Sequence, residues 1–234
     1  MDRAPRLSLT GHAAQPEAVV LLLHGGEEDS FASVRAFDLS VLRLIPFGRS
    51  VVRAGGGRIA LARLRYAVRG WNGERESPLA DARWALDRIA ERFGHLPIGL
   101  VGHSMGGRVA LRVADHGGVF GGTERGVHNW GVRSVAALAP WLPDGEPTPL
   151  LGDRSLLLAH GTADRITDPA KTTELAEKLA AEGAEVELVK YAGARHSMLF
   201  PARPWHDMVA RFMMRTLLAP ASEPLTGPSG PPGT

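Results

Sequence analysis

The segment LPIGLVGHSMGGRVAL, residues 96–111, decides how the whole chain reads. The apolar run over 98–101 predicts a buried strand, and a helix-forming pattern starts at Gly107. Between them stands Gly102-His103-Ser104-Met105-Gly106, a G-x-S-x-G pentapeptide at a strand-to-helix turn. Such a turn is sharp and strained, so the residues beside the serine must be small. Gly102 and Gly106 carry no Cβ where strand and helix approach each other. The helix that follows would point its first amides at the turn and favour negative charge developing there. In a chain with 28 glycines the pentapeptide alone decides little. Its setting, and what the chain places at other strand ends, give it weight.

Upstream, AVVLLL at 18–23 is apolar throughout, as a strand buried on both faces should be, and it runs into His24-Gly25-Gly26 and the acidic loop Glu27-Glu28-Asp29. A short edge strand is expected over 6–9. Helical spacing over 37–53 is interrupted by Pro46 and Gly48. A third strand is expected over 59–68, then a loop with Trp71. A helix follows with Ser77 as its cap and Leu79, Ala82, Leu86, Ile89 and Phe93 as its buried stripe. Downstream, SVAALA at 134–139 ends at Pro140-Trp141, and SLLLA at 155–159 ends at HGTAD, 160–164. Asp168-Pro169 opens a helix over 170–182, and EVELVKY at 185–191 alternates as a strand. A loop with His196 and a last helix over 205–218 complete the order. Residues 1–218 read as one domain; 219–234, rich in Pro, Gly and Ser, are expected to be disordered. The glycine-rich stretch 117–131 has no assigned purpose. Strand–helix alternation with short connections predicts an α/β fold, a mostly parallel sheet covered by helices on both faces. Ligands meet such sheets at the carboxyl ends of the strands, and His24, Ser104, Trp141, Asp164 and His196 all fall just past strand ends.

The chain has 234 residues, enough for a sizeable core. It has no cysteine, which excludes disulfides, thiolate nucleophiles and cysteine metal sites. Its 27 basic and 25 acidic residues nearly balance, and the basic ones are scattered, so neither a nucleic-acid nor a membrane partner is expected. The N-terminal stretch lacks the apolar centre of a signal peptide and no run approaches a membrane span, so a cytoplasmic protein, monomeric or a small homo-oligomer, is expected. The nine histidines show no metal-ligand spacing with acids, so no metal and no cofactor are expected.

A serine hydroxyl needs a base to take its proton and a third group to fix that base. LLLHGG (21–26), GHSMGG (102–107), HGTADRITDP (160–169) and GARHSM (193–198) occur in an order, Ser104, Asp164, His196, that resembles the α/β-hydrolase superfamily, in its lidless form of carboxylesterase or dienelactone-hydrolase-like serine hydrolases. The resemblance covers roughly 18–218. It implies Ser104 as nucleophile, His196 as general base and then general acid, and Asp164 as the group that orients His196. It implies an oxyanion hole from the backbone N–H groups of Met105 and of Gly26 or Glu27, one donor being worth about 3–4 kcal/mol. The implied reaction is hydrolysis of small or medium carboxylic esters through an acyl-enzyme. Thioesterase, peptidase and cofactor-free perhydrolase activities use the same triad and remain open, as does ligand binding without turnover.

Asp168 competes with Asp164 for the acid position, but a helix N-cap before a proline accounts for it fully. His24, His103 and His160 flank motif residues and are expected to brace loops. Only about a dozen residues separate the strand ending near Trp141 from the one starting near Ser155, so no lid domain fits and the site should be open. Glu27, Trp71, Trp141 and Met198 are the candidate pocket residues, with Met105 and Leu199 as further apolar walls. The stretch 117–131, with Trp130, is a candidate rim. The acidic run at 27–29 is expected to disfavour anionic acyl groups.

Overall fold

In a computed structural model, residues 3–10, 15–115, 130–198 and 202–218 are described. The stretch 117–129, Leu199 and the tail 219–234 lie outside the described residues.

A sheet of seven strands runs in the order β1-β3-β2-β4-β5-β6-β7. The strands are β1 (Arg6–Thr10), β2 (Ala18–Leu23), β3 (Ile59–Arg65), β4 (Ile98–His103), β5 (Val132–Leu138), β6 (Ser155–Gly161) and β7 (Val186–Tyr191). Only β1 is antiparallel, pairing with β3; every other neighbouring pair is parallel. β2 and β4 are buried at every position, and apolar but for His103 at the end of β4, because helices cover both faces of the sheet there. α3 (Ser77–Phe93), α4 (Met105–Val113) and α5 (Pro169–Ala181) cover one face, where Leu79, Leu86, Val109 and Leu179 share one core cluster with the odd-numbered side chains of β2. α1 (Leu39–Arg43), α2 (Ile45–Gly55) and α6 (Ala202–Leu217) lie on the other, where Phe47, Val51, Trp205 and Phe212 share a second core cluster with Val20 and Leu22.

The helical stretch expected over 37–53 is two helices meeting at Leu44, with Pro46 in the first turn of α2, where its missing N–H costs nothing. The third strand stops at Arg65 rather than 68. Beyond it the chain leaves the sheet to pair with the loop after β2, through the isolated bridges Glu27–Gly70 and Ser33–Val68. From β2 the chain turns to β3 on one side, then crosses back to β4 on the other. The loops after β2 and β4 therefore diverge at a switch point, and Gly25 and Ser104 flank the crevice there. No described helix is long and apolar enough to cross a membrane.

Candidate active site

Ser104 joins β4 to α4 with φ 57 and ψ −122, a conformation costly for a non-glycine residue. Three contacts over-determine it. Its N–H donates to the Leu138 carbonyl at 2.9 Å, and its own carbonyl accepts from Gly107 at 2.9 Å and from Trp141 at 3.1 Å. Close packing explains the flanking glycines. A Cβ on Gly102 would sit 2.1 Å from the Gly106 carbonyl oxygen, and one on Gly106 2.0 Å from that of Leu23. α4 can thus lie directly on β2 and β4, with its first N–H groups at the crevice.

Asp164 follows β6 in a tight turn. Its Oδ1 accepts the N–H groups of Ile166 (2.8 Å) and Thr167 (3.1 Å). Its Oδ2 accepts His196 Nδ1–H at 2.7 Å, Thr167 Oγ1–H at 3.0 Å and His160 Nε2–H at 3.1 Å. Burial pushes the carboxyl upward, but the bonds from His160, His196 and the two backbone N–H groups outweigh it and hold the group well below the usual carboxylate range. With Nδ1–H given to Asp164, the lone pair of His196 is on Nε2. Asp168 caps α5 by accepting from the Ala170 N–H at 2.8 Å, as its place before Pro169 predicts.

The three other motif histidines brace loops. His103 donates from Nε2 to the His196 carbonyl at 2.9 Å and packs its ring 4.8 Å from the His196 ring. Burial, then the neighbouring His196, lowers its pKa to about 3. His24 donates from Nδ1 to the Gly25 carbonyl at 2.6 Å and accepts the Tyr66 N–H on Nε2 at 3.3 Å. Burial lowers its pKa to about 4. His160 bonds Thr172 Oγ1 at 2.7 Å on its far side.

In the loop after β2, the Glu27 N–H donates to the Arg69 carbonyl at 2.9 Å, which removes Glu27 as the alternative oxyanion donor. Among the described residues, Gly26 N–H and Met105 N–H, the latter at the first position of α4, have no backbone partner. A Cβ on Gly26 would lie 2.2 Å from the Arg69 carbonyl oxygen and 2.4 Å from Met105 Cε, so the glycine lets this loop close onto the serine turn. The Glu27 side chain stands out in solvent 3.6 Å from Arg69.

Of the remaining pocket candidates among the described residues, only Trp141 keeps partial exposure. Met198, 1% exposed, packs in the core with Trp205 and Phe212 on the face away from α4. Trp71, 3% exposed, is also interior, with the Arg108 guanidinium stacked 3.7 Å above its ring and the Trp141 ring edge-on at 6.1 Å. Met105, 1% exposed, has its side chain against Gly26. Trp130 does not rim the crevice; its Nε1–H donates to Asp87 of α3 at 2.8 Å.

Two features escaped the sequence reading. Thr167, three residues past Asp164, puts its hydroxyl within 3.0–3.3 Å of Asp164, His160, His196 Nδ1 and the Ala139 carbonyl. An Asp-x-x-Thr turn before a capped helix was the available signal. The second is a buried ion network. Arg108 meets Glu146 at 2.6 Å, and Arg112 meets Glu146 at 3.2 Å and Glu76 at 2.5 Å. It ties the connection 139–154, which carries no helix where a lid would stand, to α4 and to the turn before α3. Two arginines at i and i+4 on an otherwise apolar helix were its only trace in the sequence. Among the described residues no group of three His, Cys, Asp or Glu is placed to hold a metal ion.

The sequence profile of the dienelactone hydrolase family matches residues 69–213, more than half of the chain and all of Ser104, Asp164 and His196. The chain belongs to the dienelactone hydrolase family. Solved structures share the fold of this hydrolase at low sequence identity. A thermophilic esterase from Thermogutta terrifontis, solved with propionate bound, superposes with a TM-score of 0.71 at 17% identity, over 93% of this chain and 92% of its own. An α/β serine hydrolase without a lid from Xanthomonas campestris gives 0.65 at 16%, over 93% and 91%. Est1E from Butyrivibrio proteoclasticus, solved with ferulic acid bound, gives 0.64 at 14%, over 92% and 96%. No curated protein matches this hydrolase in sequence.

Proposed function

We propose that this hydrolase is a carboxylesterase for small to medium acyl chains, acting through Ser104, His196 and Asp164. The observation that carries the reading is Ser104 at φ 57 on the β4–α4 turn, at the same sheet edge as a His196 Nδ1–H bonded at 2.7 Å to Asp164. His196 Nε2 takes the Ser104 proton as Oγ attacks the ester carbonyl. The resulting oxyanion is met by the N–H groups of Met105 and Gly26, donors that act on charge developing only in the transition state. Collapse expels the alcohol, which leaves with the proton from His196. Water then attacks the acyl-enzyme, giving its proton to His196, and the acid departs as Ser104 is reprotonated. Asp164 stays ionised and stabilises the imidazolium in both halves. The helix-free connection 139–154 supports an open site rather than one under a lid.

The test is hydrolysis of p-nitrophenyl esters from acetate to palmitate by the wild type and by Ser104→Ala. Turnover highest on the shorter esters, falling in the variant by about four orders of magnitude or more, is expected. Turnover untouched by Ser104→Ala would overturn the nucleophile. Saturable ester binding with no turnover in the wild type would replace catalysis by ligand binding.

A further inference from the structure

The strand pair at the edge of the sheet carries an arrangement that ester hydrolysis does not use. In the β1–β3 register Arg6 stands opposite Arg65 and Ser8 opposite Arg63, which sets three guanidinium groups on one face. Like charges directly opposite in an antiparallel pair repel. Among the described residues none of the three makes an ion pair. Arg63 Nε is buried with no hydrogen-bond partner. The acid on the adjoining loop, Asp38, is already engaged by Arg69 at 3.1 Å and by the Arg35 N–H at 2.9 Å. His24, also on the wall, has both ring nitrogens bonded inside the protein.

The three arginines and Ser8 border a cavity of about 220 Å³ whose apolar lining includes Leu22, Val41 and Leu44. None of Ser104, Asp164 and His196 lines it. A stack of unpaired cations beside an apolar floor is stable when an anion completes it, and guanidinium forks match a carboxylate in shape and charge. The volume lies below the roughly 300–1,000 Å³ of pockets for drug-sized ligands.

We propose that this cavity is a second binding site, separate from the Ser104 crevice, for a small carboxylate with a short apolar body. The carboxylate sits among Arg6, Arg63 and Arg65, and the apolar body lies on Leu22, Val41 and Leu44.

Because the chain has no cysteine, Ser8→Cys would put a single thiol at the mouth of the cavity. Its rate of alkylation would be followed in the full chain with hexanoate, with hexanol, and with inorganic phosphate. Hexanoate is expected to protect the thiol saturably and hexanol not to. Raising NaCl to about 0.5 M should weaken protection. Adding Arg63→Gln should weaken it about tenfold or more, by removing a charge-assisted bond. Equal protection by hexanol, or protection unchanged by both salt and Arg63→Gln, would overturn the site. Protection by phosphate but not hexanoate would overturn the apolar half of the proposal. Should Arg63→Gln fail to fold, Arg65→Gln and the salt series in the Ser8→Cys chain decide the matter.

Discussion

Around Ser104 the site is held by backbone pressed on backbone; around Asp164 it is held by side-chain hydrogen bonds. On the serine side a missing methyl group does the positioning. Gly106 lets α4 approach to where a Cβ would stand 2.0 Å from the Leu23 carbonyl oxygen. On the acid side one carboxylate collects two backbone N–H groups, two histidines and a threonine hydroxyl. The difference is a matter of tolerance. Close-packed backbone has no slack and fails abruptly. A network with several donors on one acceptor loses its members one at a time.

The largest expected effect is on the acid side. Asp164→Asn keeps the shape but reverses the donor–acceptor match with His196 Nδ1, and kcat is expected to fall by about 10⁴ with the fold retained. Stopped-flow ester hydrolysis alongside circular dichroism measures both, and a loss under tenfold would break the contrast drawn here. On the serine side Gly106→Ala is expected to cost about 4 kcal/mol or more, enough to prevent folding, since its contacts are all backbone. Gly107→Ala is the control. Its Cβ would meet Pro140 Cα and Cβ at 3.1 Å and the Gly102 carbonyl oxygen only at 3.5 Å, so a small shift absorbs it, and urea titration should separate the two variants clearly.

Thr167→Val sharpens the other half. It removes one hydroxyl from a network that keeps its remaining bonds, so kcat should fall about tenfold and stability by about 1–2 kcal/mol. A loss as large as that of Asp164→Asn would mean the network has no redundancy. The last effect concerns acid. His24 is neutral in the fold down to about pH 4, whereas an unfolded histidine binds its proton near 6.5. Between those values the unfolded state holds more protons, so stability falls as pH falls, by at most about 1.4 kcal/mol per pH unit for this residue. Asp164, held low, contributes in the same direction at still lower pH. His24→Gln, whose amide oxygen can still accept the Tyr66 N–H, should flatten the slope of urea-unfolding free energy between pH 4 and 6.5. An unchanged slope would show that His24 is not a source of that acid sensitivity.

The elements were legible because their signals are local. AVVLLL and IGLV are strands buried on both faces, the two motif glycines sit where a helix meets a strand, and Asp168-Pro169 is a helix start whatever surrounds it. The position of Ser104, Asp164 and His196 past strand ends was legible for the same reason, since each follows a strand at the end where a parallel sheet opens. Long-range packing decided the rest. Whether Trp71 faces solvent or core depends on Arg108 of α4, a partner far along the chain. Whether the Glu27 N–H is free depends on a bridge to the chain beyond β3. The meeting of Thr167 with His196, and of Arg6 with Arg65, exists only once strands distant in sequence lie side by side. Periodicity and turn chemistry are properties of neighbours in the chain. Hydrogen-bond closure and charge pairing are properties of neighbours in space, and no sequence window holds both partners.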